Sequence, residues 1–180
     1  MSHAPQVVAT TWWEDQPDRL ARELDAMRAV APNLAWTPAL PGGGWVGTVP
    51  SWPFDRPRPH GLTALLDPPE LAVQIACGHP FPMIEPSVRP TSVTPPIEAL
   101  GWTAWHVTPD GRLCLLQTHA DWDPADNVAS VIGKMAGWYV EFQLMQRGLI
   151  AAMTEAGIET DTSLDALLDA YPNAVGGDGA

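Results

Sequence analysis

The sequence predicts an α+β fold: an N-terminal helix, then an antiparallel meander of about four strands, then C-terminal helices. Apolar residues recur at helical spacing near the N-terminus, short alternating runs between prolines and glycines fill residues 32–108, and a long helical stripe follows residue 123. The chain has 180 residues, 46% of them hydrophobic and 17% charged, enough for one core. We expect one domain at 15–172, a loose arm at 1–14 and a disordered tail at 173–180.

The first helix is predicted at residues 18–31, with Asp15 as its N-cap and Pro17 in its first turn. Trp12 and Trp13 suggest that the end of the arm docks on the domain. The helix's polar side carries three bases, Arg19, Arg22 and Arg28. This side is either a solvated face or a docking surface for an acidic partner.

Four short alternating runs are strand candidates, at residues 34–37, 45–49, 71–76 and 87–93. The third has the clearest pattern, because Leu71, Val73 and Ile75 share one face. Glycines at 42–44 predict a turn between the first two strands, and three prolines in residues 51–60 predict a surface loop. Pro90 predicts that the fourth strand lies at an edge.

The C-terminal half is predicted to be helical. Asp123 is expected to cap a long helix, with Pro124 in its first turn. Gly133 and Gly137 would let this helix approach the sheet closely, and Gly148 would bend or end it before a second helical segment at 149–156. The apolar stripe consists of Val128, Val131, Ile132, Met135, Trp138, Phe142 and Met145. A last short helix is predicted through Leu164, Leu167 and Leu168.

Charge and hydropathy disfavour several classes of function. The net charge is −12, from 21 acidic and 9 basic residues, which argues against nucleic acid and acidic membrane surfaces as partners. A basic patch on a protein partner would instead be attracted. No apolar run approaches the roughly 20 residues of a membrane span, and the N-terminus carries no signal-peptide pattern. We therefore expect a cytoplasmic protein.

Cys77 and Cys114 are the two cysteines, and they form neither a Cys-x-x-Cys pair nor a zinc ligand set. One disulfide is formally possible, but a reducing compartment favours two free thiols. Cys77 follows an apolar run and is expected to be buried. The sequence has no serine-hydrolase elbow, phosphate loop or His-Glu-x-x-His motif, so we expect no metal and no cofactor.

Cys114 is the candidate that could carry chemistry. It is either a small buried apolar residue or an exposed thiol at a loop edge, since Gly111 precedes it and a polar stretch follows. A nucleophilic thiol needs a nearby cation or base, which His106, Arg112 or His119 could supply. His119 with Asp121 could form a base and its orienting carboxylate, or His119 could simply be solvated.

Lysine occurs once, at Lys134, against eight arginines. An enzyme that delivers acyl groups to amines would avoid modifying itself if it contained few lysines. A coding bias toward alanine, arginine and proline explains the same scarcity, and the 20 prolines favour that interpretation.

Two segments of the sequence resemble the signature of ubiquitin-conjugating enzymes. Residues 78–88, Gly-His-Pro-Phe-Pro-Met-Ile-Glu-Pro-Ser-Val, are similar to the Tyr-Pro-Phe…Pro-Pro-x-Val segment of that family. Residues 106–124, with His106, Gly-Arg-Leu-Cys-Leu around Cys114 and Trp-Asp-Pro at the end, resemble its His-Pro-Asn…Gly-x-Ile-Cys-Leu…Trp-Ser-Pro active-site signature. The motifs cover roughly residues 79–135, and the order of elements extends the likeness back to Asp18.

The resemblance implies a UBC-like domain in which Cys114 accepts a ubiquitin-like modifier from an activating enzyme as a thioester. Cys114 would then pass that acyl group to an amine on a protein target, and His106 would shape the site. Arg19 and Arg22 correspond, by element only, to the helix with which the family meets its activating enzyme. Phe81, in the first motif, is also assigned to partner binding.

The sequence departs from the family at the oxyanion residue. Where the family has His-Pro-Asn, this chain has His106, Val107 and Thr108, so Thr108, His119 or a backbone amide would have to stabilise the oxyanion. Asp121 and Asp123 could instead ease deprotonation of an incoming lysine. Such departures are similar to those of divergent conjugating-enzyme-like proteins of bacteria, which are often encoded in antiviral defence operons.

Two other functions stay open at this level. The domain could be a binding module that resembles inactive conjugating-enzyme variants, an interpretation that the missing Asn favours. It could also be a Cys-His hydrolase unrelated to ubiquitin chemistry, which would need His106 or His119 within hydrogen-bond reach of the sulfur.

Overall fold

The structure is a computed structural model that describes residues 10–116 and 121–171. It is α+β, with N-terminal helices, a four-stranded antiparallel meander and C-terminal helices, as the sequence predicts. The helices are α1 (Trp12–Asp15), α2 (Pro17–Val30), α3 (Leu62–Leu65), α4 (Ile132–Gln146) and α5 (Asp165–Ala170). The strands are β1 (Leu34–Thr37), β2 (Gly44–Val49), β3 (Leu71–Ala76) and β4 (Ser87–Pro90).

The packed part of the chain begins at Trp12, inside the segment predicted as a loose arm. Trp12 is buried and its indole N–H donates to the Gly42 carbonyl at 2.6 Å, so the predicted docking of the tryptophan pair is confirmed. A capping box that sequence reasoning missed starts α1, because the Glu14 carboxylate accepts from the N–H and the hydroxyl of Thr11. Asp15 ends α1, and Gln16 takes the N-cap position of α2, so the predicted Asp15 cap is wrong.

The strands pair in the order β1-β2-β3-β4, each antiparallel to its neighbour. The apolar face of β3 is buried as predicted, and β4 lies at the edge. β4 ends at Pro90 rather than at residue 93. Proline has no N–H to donate, and after one further bond, from Thr91 N–H to the Ala72 carbonyl, the ladder stops.

Helix α4 is the central helix of the domain. The predicted apolar stripe is buried, but so are residues on the opposite face, including Tyr139, Val140 and Leu144. A helix that is covered all round belongs to the interior rather than to an amphipathic surface layer. The hydroxyl of Tyr139 donates to the Pro68 carbonyl, and burial raises its pKa to about 12.

The segment after α4 is not the second helix predicted at 149–156. Gly148, at a φ of 67°, reverses the chain, and the Leu149 N–H closes the helix end on the Leu144 carbonyl. The chain then folds back along α4, with the side chain of Ile158 against Gly137. Gly137 and Gly133 therefore permit close approach of this returning segment, not of the sheet. The last predicted helix is confirmed as α5.

A buried ion pair joins α2 to the start of the long helical region. Arg19 Nη2 lies 3.0 Å from Glu23 Oε1, and their side chains are 10% and 2% exposed. Arg19 also donates to the carbonyls of Pro124 and Asp126, and its guanidinium lies 4.9 Å from the centre of the Phe81 ring. The prediction that Arg19 belongs to a solvated face of the helix is therefore wrong.

The same ion pair explains why the long helix starts later than predicted. Because the carbonyls of Pro124 and Asp126 bind Arg19, they are not available to a first helical turn, and the Asp123 carboxylate accepts from the Ala125 N–H in a local turn. Glu23 Oε2 accepts the N–H of Val128 at 2.7 Å, where a 3₁₀ turn (Val128–Val131) leads into α4. The predicted cap at Asp123 is wrong for this reason.

Replacing Glu23 should therefore destabilise the fold. We expect Glu23→Ala to lower the free energy of unfolding by about 3–5 kcal/mol, because it leaves Arg19 buried without its counter-ion. Asp25→Ala, which breaks the exposed pair with Arg28, is the matched control and should cost less than about 1 kcal/mol. Urea titration of both variants measures the difference. Equal losses would show that the buried pair has no special role.

Candidate active site

Cys114 lies at the end of a small hairpin beside the sheet. Val107 and Leu113 form an antiparallel bridge, and the Cys114 N–H donates to the His106 carbonyl at 2.8 Å. The Leu113 N–H donates to the Val88 carbonyl of β4, which fixes the hairpin against the sheet edge. The loop that carries the cysteine is thus held by backbone bonds on both sides.

The tip of the hairpin is a polar turn around Thr108. Its hydroxyl bonds to the Asp110 carboxylate and accepts from the Arg112 N–H at 2.9 Å. Arg112 Nε lies 2.7 Å from Asp110 Oδ2. Thr108 therefore stabilises the turn, and the turn places one acidic and one basic side chain near the cysteine.

The two cysteines have opposite surroundings. Cys77 is buried, as predicted, and burial raises the pKa of its thiol strongly. Cys114 is exposed, so it is not the small buried residue that was one of its two predicted roles. Partial burial still raises the pKa of Cys114, with Arg112 lowering it and Asp110 raising it. This thiol is accessible without being held as a thiolate by those charges.

A cavity of about 320 Å³ opens on one side of Cys114. Helix α4 forms one wall with Lys134, Gly137, Trp138 and Glu141, which recur at the i, i+3, i+4, i+7 spacing of one helix face. The opposite wall is the returning segment at 153–159. Among the described residues that line the cavity, Lys134 is the one lysine or arginine, and four side chains are acidic: Asp121, Glu141, Glu155 and Glu159.

Arg56 holds the returning segment in place. Its guanidinium donates to the carbonyls of Ile158 and Glu159, pairs with Asp165 at 3.1 Å, and lies 4.9 Å from the ring centres of both Trp52 and Phe54. From α4, the Glu141 carboxylate accepts from the N–H and hydroxyl of Thr154, at 2.9 and 2.6 Å. Burial raises the pKa of Glu141, and these two bonds oppose the shift.

A second groove, of about 480 Å³, leads away from Cys114 on the other side. Apolar residues make up much of its wall, and Arg112 and Glu85 contribute charged groups. Ile84, which belongs to this wall, is 50% exposed. Cys114 therefore stands where a mainly acidic cavity and a more apolar groove meet.

His106 lines the acidic cavity together with Cys114. Its backbone is left-handed, at a φ of 48°, a conformation in which Asn, Asp and His are enriched among residues with a side chain. Burial lowers the pKa of its imidazole, which favours the neutral ring at pH 7. A neutral imidazole still has one N–H to donate, so His106 can offer a hydrogen bond beside the thiol.

The structure brings together only some of the predicted site residues. His106, Cys114 and Asp121 line one cavity, whereas the Thr108 hydroxyl is engaged in its turn. Asp123 does not line this cavity, and its carboxylate accepts from the Ala125 N–H. His119 lies outside the described residues. Of the predicted partner-binding residues, Arg22 is exposed, while Arg19 and Phe81 are buried and cannot form a docking surface in this conformation.

Sequence reasoning missed the acidic groups of the cavity other than Asp121. Lys134 and Glu141 lie seven residues apart on a helix that was correctly predicted, and this spacing could have placed them on one face. Glu159 and Thr154 carried no such signal: Thr154 lay in the helix predicted at 149–156 and Glu159 beyond it, whereas the segment folds back on α4.

Comparisons with protein-family models, with curated proteins and with solved structures gave no match. Within residues 10–116 and 121–171, no group of three or more His, Cys, Asp or Glu side chains is placed to hold a metal ion. No helix in that part of the chain is both long and apolar enough to cross a membrane.

Alkylation by iodoacetamide should report the state of the Cys114 thiol. Because only the thiolate reacts and its pKa is raised, we expect the rate at Cys114 to rise about tenfold per pH unit from pH 7 to beyond pH 8.5. Cys77, being buried, should react about a hundredfold more slowly. Mass spectrometry of the two cysteine peptides measures both rates.

Two charge variants test how Asp110 and Arg112 change the pKa of Cys114. Asp110→Asn removes the carboxylate that disfavours the thiolate and should speed alkylation of Cys114 at pH 7.5, whereas Arg112→Gln removes the favourable cation and should slow it. A rate that levels off below pH 7 in the native protein would instead reveal an activated thiolate and contradict this description.

Proposed function

We propose that this protein is a UBC-like conjugating enzyme. It receives the C-terminal carboxyl of a ubiquitin-like modifier from an activating enzyme as a thioester on Cys114 and transfers it to an amine of a protein target. The observation that carries the proposal is the position of Cys114, exposed at the meeting point of two clefts of different chemical character. An acyl carrier needs one cleft for the donor and one for the acceptor.

Contacts between the two motif segments support the resemblance. The Trp122 indole donates to the Pro82 carbonyl at 2.8 Å, and the rings of Trp122 and Phe81 lie 6.1 Å apart. With the bond from Leu113 to Val88, these contacts pack residues 78–88 against both sides of the cysteine loop. The two segments that resemble one family signature therefore pack together.

The chemical character of the clefts assigns their occupants. The acidic cavity suits a target amine, because its carboxylates attract an ammonium group and can take up its proton. The groove toward Ile84 suits the extended tail of the modifier, which carries no charge once its carboxyl is a thioester.

The raised pKa of Cys114 favours a carrier over a hydrolase. A Cys-His hydrolase lowers its thiol pKa through an adjacent imidazolium, whereas among the described residues the pKa of Cys114 is raised by burial and by Asp110 and lowered by Arg112. A thiol of higher pKa is also a poorer leaving group, so its thioester is less reactive toward water and toward amines alike. Transfer would then depend on an amine that the cavity holds close to the thioester.

His106 is the described residue best placed to support the oxyanion. It lines the cavity beside Cys114, burial lowers the pKa of its imidazole and so favours the neutral ring, and the Thr108 hydroxyl is committed elsewhere. During transfer, the amine nitrogen attacks the thioester carbonyl and negative charge develops on its oxygen. An N–H donor that is held in place stabilises this charge.

A small thioester tests the proposed reaction without a known partner. The protein is mixed with an N-acetylated tetrapeptide that ends in Gly-Gly and carries a mercaptoethanesulfonate thioester, and then with free lysine. We expect a thioester on Cys114, followed by the peptide amide of free lysine. Mass spectrometry separates the alternatives, because a hydrolase would release the free peptide acid. A binding module could still exchange its exposed thiol with the probe, but it would form the lysine amide no faster than a free thiol does.

Cys114→Ala should abolish both the adduct and the catalysed amide. A thioester that survives this substitution would overturn the proposal. Cys77→Ala is the matched control, and it should leave the rate of amide formation within about twofold if it folds, because a buried thiol does not meet the probe.

Two substitutions at His106 separate its side chain from its backbone. His106→Gly keeps the left-handed conformation but loses the donor, and should slow transfer to lysine by about 10²–10³-fold while Cys114 still forms a thioester. His106→Asn keeps an N–H donor and also tolerates this conformation, so it should retain more activity. Equal rates in the two variants would exclude His106 as the oxyanion donor.

A further inference from the structure

We propose that Lys134 is an internal acceptor, so that the acyl group on Cys114 can pass to Lys134 Nζ and form an amide within the same chain. This inference rests on the proposed thioester chemistry of Cys114. Lys134 is the one lysine among the 180 residues, and it lines the same cavity as Cys114. A scarce nucleophile therefore stands in the space assigned to the target amine.

The position of Lys134 on α4 directs it along the cavity wall. It lies in the first turn of the helix, and Gly137, Trp138 and Glu141 continue the same face toward the interior. Lys134 is exposed, and its side chain is long and flexible. Cys114 is exposed too, and both residues line this cavity.

Glu159 supplies a carboxylate at this end of the cavity. A Cβ on Gly133, the residue before Lys134, would come within 2.2 Å of Glu159 Oε1, so the carboxylate lies directly on the helix backbone there. Arg56 fixes this part of the chain by binding the Glu159 carbonyl at 3.0 Å. The carboxylate can attract the lysine ammonium and accept the proton that the amine loses.

The transfer balances without any further reagent. The neutral Nζ attacks the carbonyl carbon of the thioester, a C–N bond forms and the C–S bond breaks. The sulfur leaves as a thiolate and ends as the Cys114 thiol, since it gains the proton that Nζ releases by way of the carboxylate. The energy of the thioester drives the step, and no oxidant, reductant or metal takes part.

The product would close the site. An acyl chain on Lys134 occupies the cavity that we assign to the target amine, so transfer to a target stops after self-modification. The eight arginines cannot accept the group in its place, because a guanidinium stays protonated and is a poor nucleophile. The reaction would therefore modify a single side chain and limit the enzyme's own activity.

The same peptide thioester tests this inference in the absence of free lysine. After loading, we expect an acyl group on Lys134 that resists hydroxylamine, and we expect it to appear at least about 100-fold faster than in Cys114→Ala, because proximity makes the step intramolecular. Lys134→Arg should accumulate the hydroxylamine-sensitive thioester on Cys114 and lose the amide. Mass spectrometry of the digested protein identifies each site.

Mixing two variants distinguishes transfer within a chain from transfer between chains. When Lys134→Arg carries the thioester and Cys114→Ala carries the lysine, no amide should form on Cys114→Ala above its rate alone. An amide there, or a native thioester that decays only to free peptide acid, would overturn the inference while leaving the thioester chemistry intact. Failure to form any thioester on Cys114 would count against the proposed function itself, and so against both.

Discussion

The buried pair of Arg19 and Glu23 is the interaction on which the candidate site depends. It binds the loop before α4 through the carbonyls of Pro124 and Asp126 and the N–H of Val128. Its guanidinium also faces Phe81, whose ring touches both Trp12 and Trp122. Burial raises the pKa of Glu23, and the Val128 N–H, Arg19 and the charge of Arg22 oppose that shift by favouring the carboxylate. The N-terminal helices thereby fix residues 124–128, which lead into α4.

A second arginine organises the opposite side of the site. Arg56 binds the returning segment at Ile158, Glu159 and Asp165, and two aromatic rings face its guanidinium. Gly133 and Gly137 let that segment lie against α4, so one wall of the acidic cavity is a helix and the other is a segment without regular secondary structure. Buried or half-buried charges hold both walls. The fold itself therefore sets the difference between the acidic cavity and the more apolar groove.

Local sequence patterns predicted the elements whose alternation or turn residues are visible within a short stretch of sequence. The strands at 34–37 and 71–76 agree with their patterns, and the fourth strand lies at the edge where Pro90 places it. In two of the predictions that failed, tertiary contacts override a local helical pattern. Asp123 does not cap a helix because Arg19 takes the nearby carbonyls, and residues 149–156 are not helical because Gly148 turns them back onto α4.

The sequence by itself determined the fold class, the burial of Cys77 and the choice of Cys114 as the residue to consider, because alternation, spacing and local turns carry that information. Only the tertiary structure decided that Cys114 is exposed between two clefts and that Arg19 is buried. It also brought Lys134 and Glu159 to the same cavity as the cysteine. These contacts join residues that are up to about a hundred positions apart, as in the Arg19–Pro124 bond, and packing rather than local pattern sets such pairings.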